Sequence, residues 1–323
     1  MPPGLTRRIA AQGTEARYAI DKPLAAGGMG AVLAIEDHDF HRAAAMKVIH
    51  AKFTANPEAL ERFLAEAQVT AQLEHPNIVP IHDLGVMEDG TLYFTMKLIE
   101  GQSVGALIKT LKAGDAAALK RWTIEEKILT FLKVLDGVGF ANAKGVVHRD
   151  IKPDNIMLGL HGEVLVVDWG IAKVIGQADG GSVKSAQREV ASVRDQDGLS
   201  MTMEGAAMGT IFYMPPEQAA GRLDEIDARS DVYALGATLY ELLSLKRTLE
   251  GNSLPDLIGK ITTGNIIGLD KSMPTLHPDL VAVVHRAMAL DRANRYATCA
   301  EFADDLRRYL AGRAVLARTR NLI

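Results

Sequence analysis

The periodicity of the apolar residues changes once along this 323-residue chain, and that change constrains the fold more than any other feature. As far as about Met96, short β-type runs alternate with turn formers. The runs span residues 18–24, 31–36, 43–49, 78–86 and 91–97, with Gly27-Gly28, Asp37-His38-Asp39 and Glu88-Asp89-Gly90 among the turns. One helical pattern interrupts them at 57–73. Leu60, Phe63, Leu64, Ala67 and Ala71 recur there at helical spacing, behind a cap and an N1 proline in Asn56-Pro57. From Gly101 onward the pattern is helical, at 124–143, 231–243, 280–289 and 299–310, with a short buried strand at 163–168. The expected class is α+β, a small β-rich portion with one main helix followed by a larger, mostly helical portion. Two polar stretches, 110–121 and 176–207, read as insertions, and no repeat period is present.

Composition removes several classes of function. A net charge of −4 leaves no global basic field to recruit nucleic acid or anionic lipid. The single cysteine, Cys299, excludes a disulfide framework and a cysteine-based zinc site, and reads as a small buried apolar thiol. Residues 1–12 carry two arginines without an apolar run, so they do not read as a secretory signal. The most apolar windows, such as 280–290, are broken by His285 and Arg286, short of the roughly 18–20 apolar residues a membrane span needs. The expected location is cytoplasmic, with no membrane segment in the chain.

The chemistry concentrates in His148-Arg149-Asp150-Ile151-Lys152-Pro153-Asp154-Asn155, followed eighteen residues after Asp150 by Asp168-Trp169-Gly170. These blocks put a carboxylate, an ammonium, an amide and a second carboxylate on two neighbouring loops. Phosphoryl transfer needs that set: one acid orients the acceptor hydroxyl, a cation meets the γ-phosphate, and an Asn oxygen with an Asp holds Mg²⁺. In order and spacing the chain resembles the eukaryotic-type (Hanks) Ser/Thr protein kinase family over about residues 18–310. The bacterial branch is the nearest likeness, through Gly27-Gly28-Met29-Gly30, His75-Pro76-Asn77-Ile78-Val79 and Pro216-Glu217-Gln218.

The resemblance implies a bilobal protein-kinase fold. It places an N-terminal extension at 1–17, an N-lobe at 18–96, a hinge at 97–101 and a C-lobe at 102–311. Residues 312–323 then read as a tail or the start of a linker. It also implies ATP and Mg²⁺ as cofactors and protein substrates bearing Ser or Thr. Self-association for trans-autophosphorylation is a further implication, as is a cytosolic part of a longer membrane-anchored kinase. By the same resemblance Asp150 is the catalytic aspartate, Lys152 contacts phosphate, and Asn155 and Asp168 are metal ligands. Leu24-Ala25-Ala26-Gly27-Gly28-Met29-Gly30-Ala31-Val32 resembles the glycine-rich hairpin over ATP, whose glycines let N–H groups approach phosphate. Lys47, paired with Glu66, contacts the α- and β-phosphates. Met96 falls at the gatekeeper, Lys97 and Ile99 at the adenine hinge, and Ala45 and Met157 at further ATP-binding positions.

Two departures from the family stand out, Ala25 for its first glycine and Trp169 for its usual Phe. Glu217 and Arg295 are expected to form a structural ion pair, and Asp231 to anchor the catalytic loop. Arg149 beside Asp150 resembles kinases whose activation loop is ordered by phosphorylation, here at Ser200 or, above all, Thr202. Thr210 after Gly209, with Lys152 after Asp150, matches Ser/Thr rather than Tyr specificity. Use of the fold as a catalytically silent binding scaffold is the competing reading, against which Lys47, Asp150, Asn155 and Asp168 all speak. A P-loop NTPase is excluded because G-x-x-x-x-G-K-[ST] is absent. A zinc hydrolase is disfavoured by the lack of His-Glu-x-x-His.

Overall fold

The computed structural model describes residues 17–27, 30–170, 172–174, 209–251 and 253–319. The chain divides into two compact units, one of residues up to 74 with 79–100 and the other of residues 75–78 with 101 onward.

The first unit contains β1 (Tyr18–Ala26), β2 (Gly30–Asp37), β3 (Arg42–Ile49), α1 (Pro57–Ala71), β4 (Ile81–Val86) and β5 (Leu92–Met96). They form one antiparallel sheet in the order β1-β2-β3-β5-β4. Strand alternation sorts its two faces. Ala44 and Met46 pack with Tyr18, Ile35 and Tyr93 on one side. Ile49 and Phe94 pack on the other against Ala59, Phe63 and Ala67 of α1. Asn56 caps α1 by accepting the Ala59 N–H at 3.2 Å, with Pro57 at the first helical position, as the sequence predicts.

The predicted strand at 78–86 is shorter than expected, beginning only at Ile81. Pro80 has no N–H to give a ladder, and Ile78, itself part of the second unit, bridges Val166 there in parallel.

In the second unit, β6 (Gly101–Ser103) leads into α2 (Val104–Lys112), α3 (Ala116–Arg121) and α4 (Ile124–Ala143). Then come β7 (Val146–Val147), β8 (Ile156–Gly159), β9 (Val164–Val166) and β10 (Lys173–Val174). The helical remainder runs through α5 (Pro216–Ala219), α6 (Ala228–Ser244), α7 (Leu254–Thr263), α8 (Leu269–Ser272), α9 (Pro278–Ala287), α10 (Cys299–Leu310) and α11 (Leu316–Thr319). The strands form two small sheets, β6-β8-β9 and β10-β7. Helix α6 is the axis of this unit. Every residue from 230 to 243 is buried, the burial expected of a helix surrounded by others on all sides. A reciprocal capping box between Asp227 and Ser230 starts it.

The stretch 110–121, read as a polar insertion, is largely helical: its first residues finish α2 and Ala116–Arg121 form α3. Ala and Lys are strong helix formers, and Asp115 caps α3 by accepting the Ala118 N–H at 2.7 Å. Within the stretch read as a tail, Val315 and Ala317 are buried. Fully buried Asp305 accepts the N–H groups of Leu316 and Ala317, at 2.7 and 2.9 Å, and the Tyr296 hydroxyl at 2.8 Å. Two apolar residues with no periodicity leave no sequence signal for that clasp. The stretch 176–207 lies outside the described residues.

Candidate active site

In the first unit, Lys47 sits in the middle of β3, in register with Val32 on β2 and Phe94 on β5. Its Nζ donates to Glu66 Oε1 at 2.6 Å, with the two side chains 17% and 7% exposed. Glu66 lies on the buried face of α1 with Phe63, Ala67 and Thr70, where an unpaired carboxylate would be costly. Ala45 pairs with Met96 across the neighbouring strand, and the Lys97 N–H donates to the Pro80 carbonyl at 3.2 Å. Ile99 follows, half-buried.

The glycine-rich hairpin is closed by the Gly27 N–H donating to the Gly30 carbonyl at 2.8 Å. Ala25 and Ala26 face Val32 and Ala31 across the ladder, and Leu24 is exposed. Gly30 is dictated by crowding, because a Cβ there would overlap the Val48 carbonyl oxygen. Gly28 and Met29 lie outside the described residues.

In the second unit, the catalytic loop hangs from Asp231 on α6. This fully buried carboxylate accepts the N–H of His148 at 2.9 Å, the N–H of Arg149 at 3.0 Å and Asn142 Nδ2 at 2.8 Å. Burial pushes the Asp231 carboxyl above the ordinary range, opposed by His148 and by these donors. His148 continues the chain of contacts. Its Nδ1 accepts the Asp150 N–H at 3.2 Å, which leaves Nε2 protonated to donate to the Val167 carbonyl at 3.2 Å. The imidazole packs on the Trp169 indole, 4.5 Å between ring centres. Trp169 is itself buried, and its Nε1 has no partner among the described residues.

Around Asp150 three predicted residues converge. Lys152 Nζ donates to Asp150 Oδ2 at 2.7 Å and to Thr210 Oγ1 at 3.0 Å. Asn155 Nδ2 donates to the Asp150 carbonyl at 2.8 Å and to Asp150 Oδ2 at 3.1 Å. The other carboxylate oxygen, Asp150 Oδ1, is buried with no partner among the described residues. The Asn155 carbonyl takes the Val167 N–H at 3.0 Å, which ties this loop to the one bearing Asp168. Arg149 and Asp168 both adopt left-handed backbone conformations, φ 67° and 65°, which non-glycine residues tolerate only where the surroundings enforce them. Met157 lies half-buried on β8, opposite Ser103 and Leu165. Ser200 and Thr202 lie outside the described residues.

Farther along, Arg295 clasps Glu217 through two N–H···O bonds of 2.8 and 2.9 Å, and the Ser230 hydroxyl donates to the same carboxylate at 2.7 Å. Burial opposes ionisation of Glu217, but Arg295 outweighs it and holds the carboxyl below the usual range.

The protein kinase domain model matches residues 18–305. This chain belongs to the protein kinase domain family. Among curated relatives, the serine/threonine-protein kinase PknD of Protochlamydia amoebophila (strain UWE25) is 33% identical over 306 residues, covering 92% of this chain and 30% of that protein. The serine/threonine-protein kinase PknB of Mycolicibacterium smegmatis is 34% identical over 301 residues, with 92% and 44% covered. The chain therefore spans less than half the length of these relatives. Among solved structures, a mutant PknI kinase domain of Mycobacterium tuberculosis superposes with a TM-score of 0.62 at 25% identity, covering 91% of this chain and 96% of that one. The fold is thus that of a protein kinase, a β-rich N-lobe and a helical C-lobe. Among the described residues no helix is long and apolar enough to cross a membrane.

Sequence reasoning missed several supporting residues of the kinase domain. Asn142 joins Asp231 to the Val146 carbonyl, and Gln218 donates to the Arg149 carbonyl at 3.3 Å. Cys299 reaches Asn142 Oδ1 with its buried thiol, whose pKa burial raises. A polar residue in the last turn of an apolar helix was the only available signal for Asn142.

Proposed function

We propose that this chain is an ATP- and Mg²⁺-dependent phosphotransferase acting on Ser and Thr hydroxyls of proteins. The observation that carries this reading is the state of Asp150, one of whose oxygens is held by Lys152 and Asn155 while the other is buried and unpartnered among the described residues. An acceptor hydroxyl that donates to Oδ1 is oriented for attack and loses its proton to that oxygen. Lys152, held between Asp150 and Thr210, brings a positive charge to the transferring phosphoryl group.

The residues present also suit Mg²⁺. Asn155 spends its amide N–H groups on Asp150, leaving its side-chain oxygen to accept, and Asp168 adds a carboxylate. Mg²⁺ is commonly bound by only one or two such oxygens plus phosphates. When bound, the ion neutralises charge between phosphates. Lys47, held by Glu66, is assigned to the α- and β-phosphates. The hairpin from Leu24 to Val32 offers N–H groups to phosphate, and Ala45, Met96, Lys97, Ile99 and Met157 belong with adenine. Glu217, Asp231 and Arg295 hold the scaffold. We further assign Ser200 and Thr202 as sites of self-phosphorylation, with Arg149 to meet the added charge and Thr210 serving the acceptor.

The test is incubation with Mg²⁺-ATP and a protein substrate, followed by phosphosite mapping, beside Asp150→Asn. Phosphoserine or phosphothreonine should accumulate with the natural chain and fall by about 10²- to 10⁴-fold in the variant, the usual worth of a positioned base. Equal transfer by both proteins sinks the reading.

A further inference from the structure

Resting on the kinase reading, a second feature of the helical unit bears on which proteins are chosen. A cavity of about 560 Å³ opens beside the segment after Thr210, lined among others by Phe212, Lys246, Arg247, Glu250, Lys271 and Ser272. We propose that it is a substrate subsite for an anionic side chain, carboxylate or phosphate, on the same peptide as the acceptor hydroxyl, with Arg247 as its principal determinant.

The charge balance favours an anion. Three cationic side chains and one carboxylate line the space, a net of +2, in a chain whose overall charge is −4. Arg247 is also positioned in advance of any ligand. Its guanidinium carbon lies 4.0 Å from the centre of the Phe212 ring, a cation–π contact that fixes the fork while leaving its N–H edge to bind. The buried carboxylate of Glu241 is already satisfied. Glu241 accepts the Tyr213 hydroxyl and pairs with Lys112 Nζ at 3.1 Å, so Arg247 is not its sole counter-charge.

Phe212 is two residues beyond Thr210, whose hydroxyl shares Lys152 with Asp150. A peptide whose hydroxyl reaches Asp150 therefore passes along the segment that forms the wall of this cavity. The space is many times the roughly 30 Å³ of one water and admits a whole acidic side chain.

The experiment uses the full chain and peptides with one Thr acceptor, in which each flanking position in turn carries Asp, phosphoserine, Ala or Lys. For at least one position kcat/KM should rank the anionic peptides above Ala and Ala above Lys, with an advantage that shrinks as salt is added. Arg247→Glu, which brings the charge of the lining to zero, should abolish that order, lowering the anionic peptides by up to about fivefold, the upper range for one exposed ion pair, and sparing the Ala peptide. Preference for phosphoserine alone would assign a phosphate site, and preference for both anions a general acidic one. The proposal is overturned if wild type ranks all four peptides equally, or if Arg247→Glu slows all four alike. Lys271→Glu supplies the same comparison should Arg247→Glu not fold. If no peptide is phosphorylated, transfer to a protein substrate beside Asp150→Asn decides the kinase reading separately. Fluorescence anisotropy of labelled Asp and Ala peptides then reads the subsite alone, and equal binding by wild type overturns it.

Discussion

Arg295 and Glu217, seventy-eight residues apart in sequence, form a two-pronged ion pair from which solvent is excluded on both sides. The arginine also donates to the carbonyls of Arg229 and Ala289, so one side chain joins the segment after Thr210, the start of α6 and the loop before α10. Arg295→Ala strands a buried carboxylate and should cost about 3–5 kcal/mol, read from chemical denaturation. Arg295→Lys should recover only part of this, because an ammonium cannot reproduce the fork.

The same pair predicts a pH dependence. The folded-state pKa of Glu217 is lowered, so its contribution is fully present above the unfolded carboxylate value of about 4.3 and is lost as pH falls through the folded value. The stability gap between the natural chain and Glu217→Gln should therefore be constant near neutrality and narrow below about pH 4. A gap that widened in acid would contradict the assigned direction.

Lys47, which keeps some solvent exposure, pairs with Glu66. Lys47→Met takes the lysine away from the buried Glu66 carboxylate, so the thermal midpoint should fall, while phosphoryl transfer drops by roughly 10²-fold or more, the scale for removing one preorganised donor. Glu66→Gln should produce a smaller loss of the same kind, since the lysine remains but is no longer held at 2.6 Å. Steady-state kinetics against ATP distinguish the two.

Asp231→Ala strands the N–H groups of His148 and Arg149, each worth about 1–3 kcal/mol when buried without a partner. Loss of stability should be accompanied by loss of transfer, because Asp150 is positioned through His148. Hydrogen exchange at these two amides checks the local cause: faster exchange there, before global unfolding, is the expected result.

Asp305 makes the tail part of the fold. Asp305→Ala removes the acceptor for Tyr296, Leu316 and Ala317, and should destabilise the helical unit by several kcal/mol at about 1–3 kcal/mol per stranded group. Proteolysis should then cut after Gly312 sooner than in the natural chain. Unchanged cleavage there would show that the clasp is dispensable.

The sequence by itself determined much of this molecule. Local periodicity set the main helices, so 124–143 and 299–310 match α4 and α10, and Asn56-Pro57 started α1. The ordered blocks around Asp150 and Asp168 determined the family, because a motif is a local chemical pattern and needs no fold to be read. What only the tertiary structure decided is how distant residues meet. It showed that Asp231 takes both loop amides, that His148 transmits this to Asp150, and that Asn142 and Gln218 complete the frame. It also showed that the polar stretch 110–121 carries α3 and that Val315, beyond Gly312, is buried. Periodicity reports which face of one element is apolar. Buried charges such as Glu217, Asp231 and Asp305 are tolerated only because specific partners from elsewhere in the chain reach them, and no local pattern names those partners.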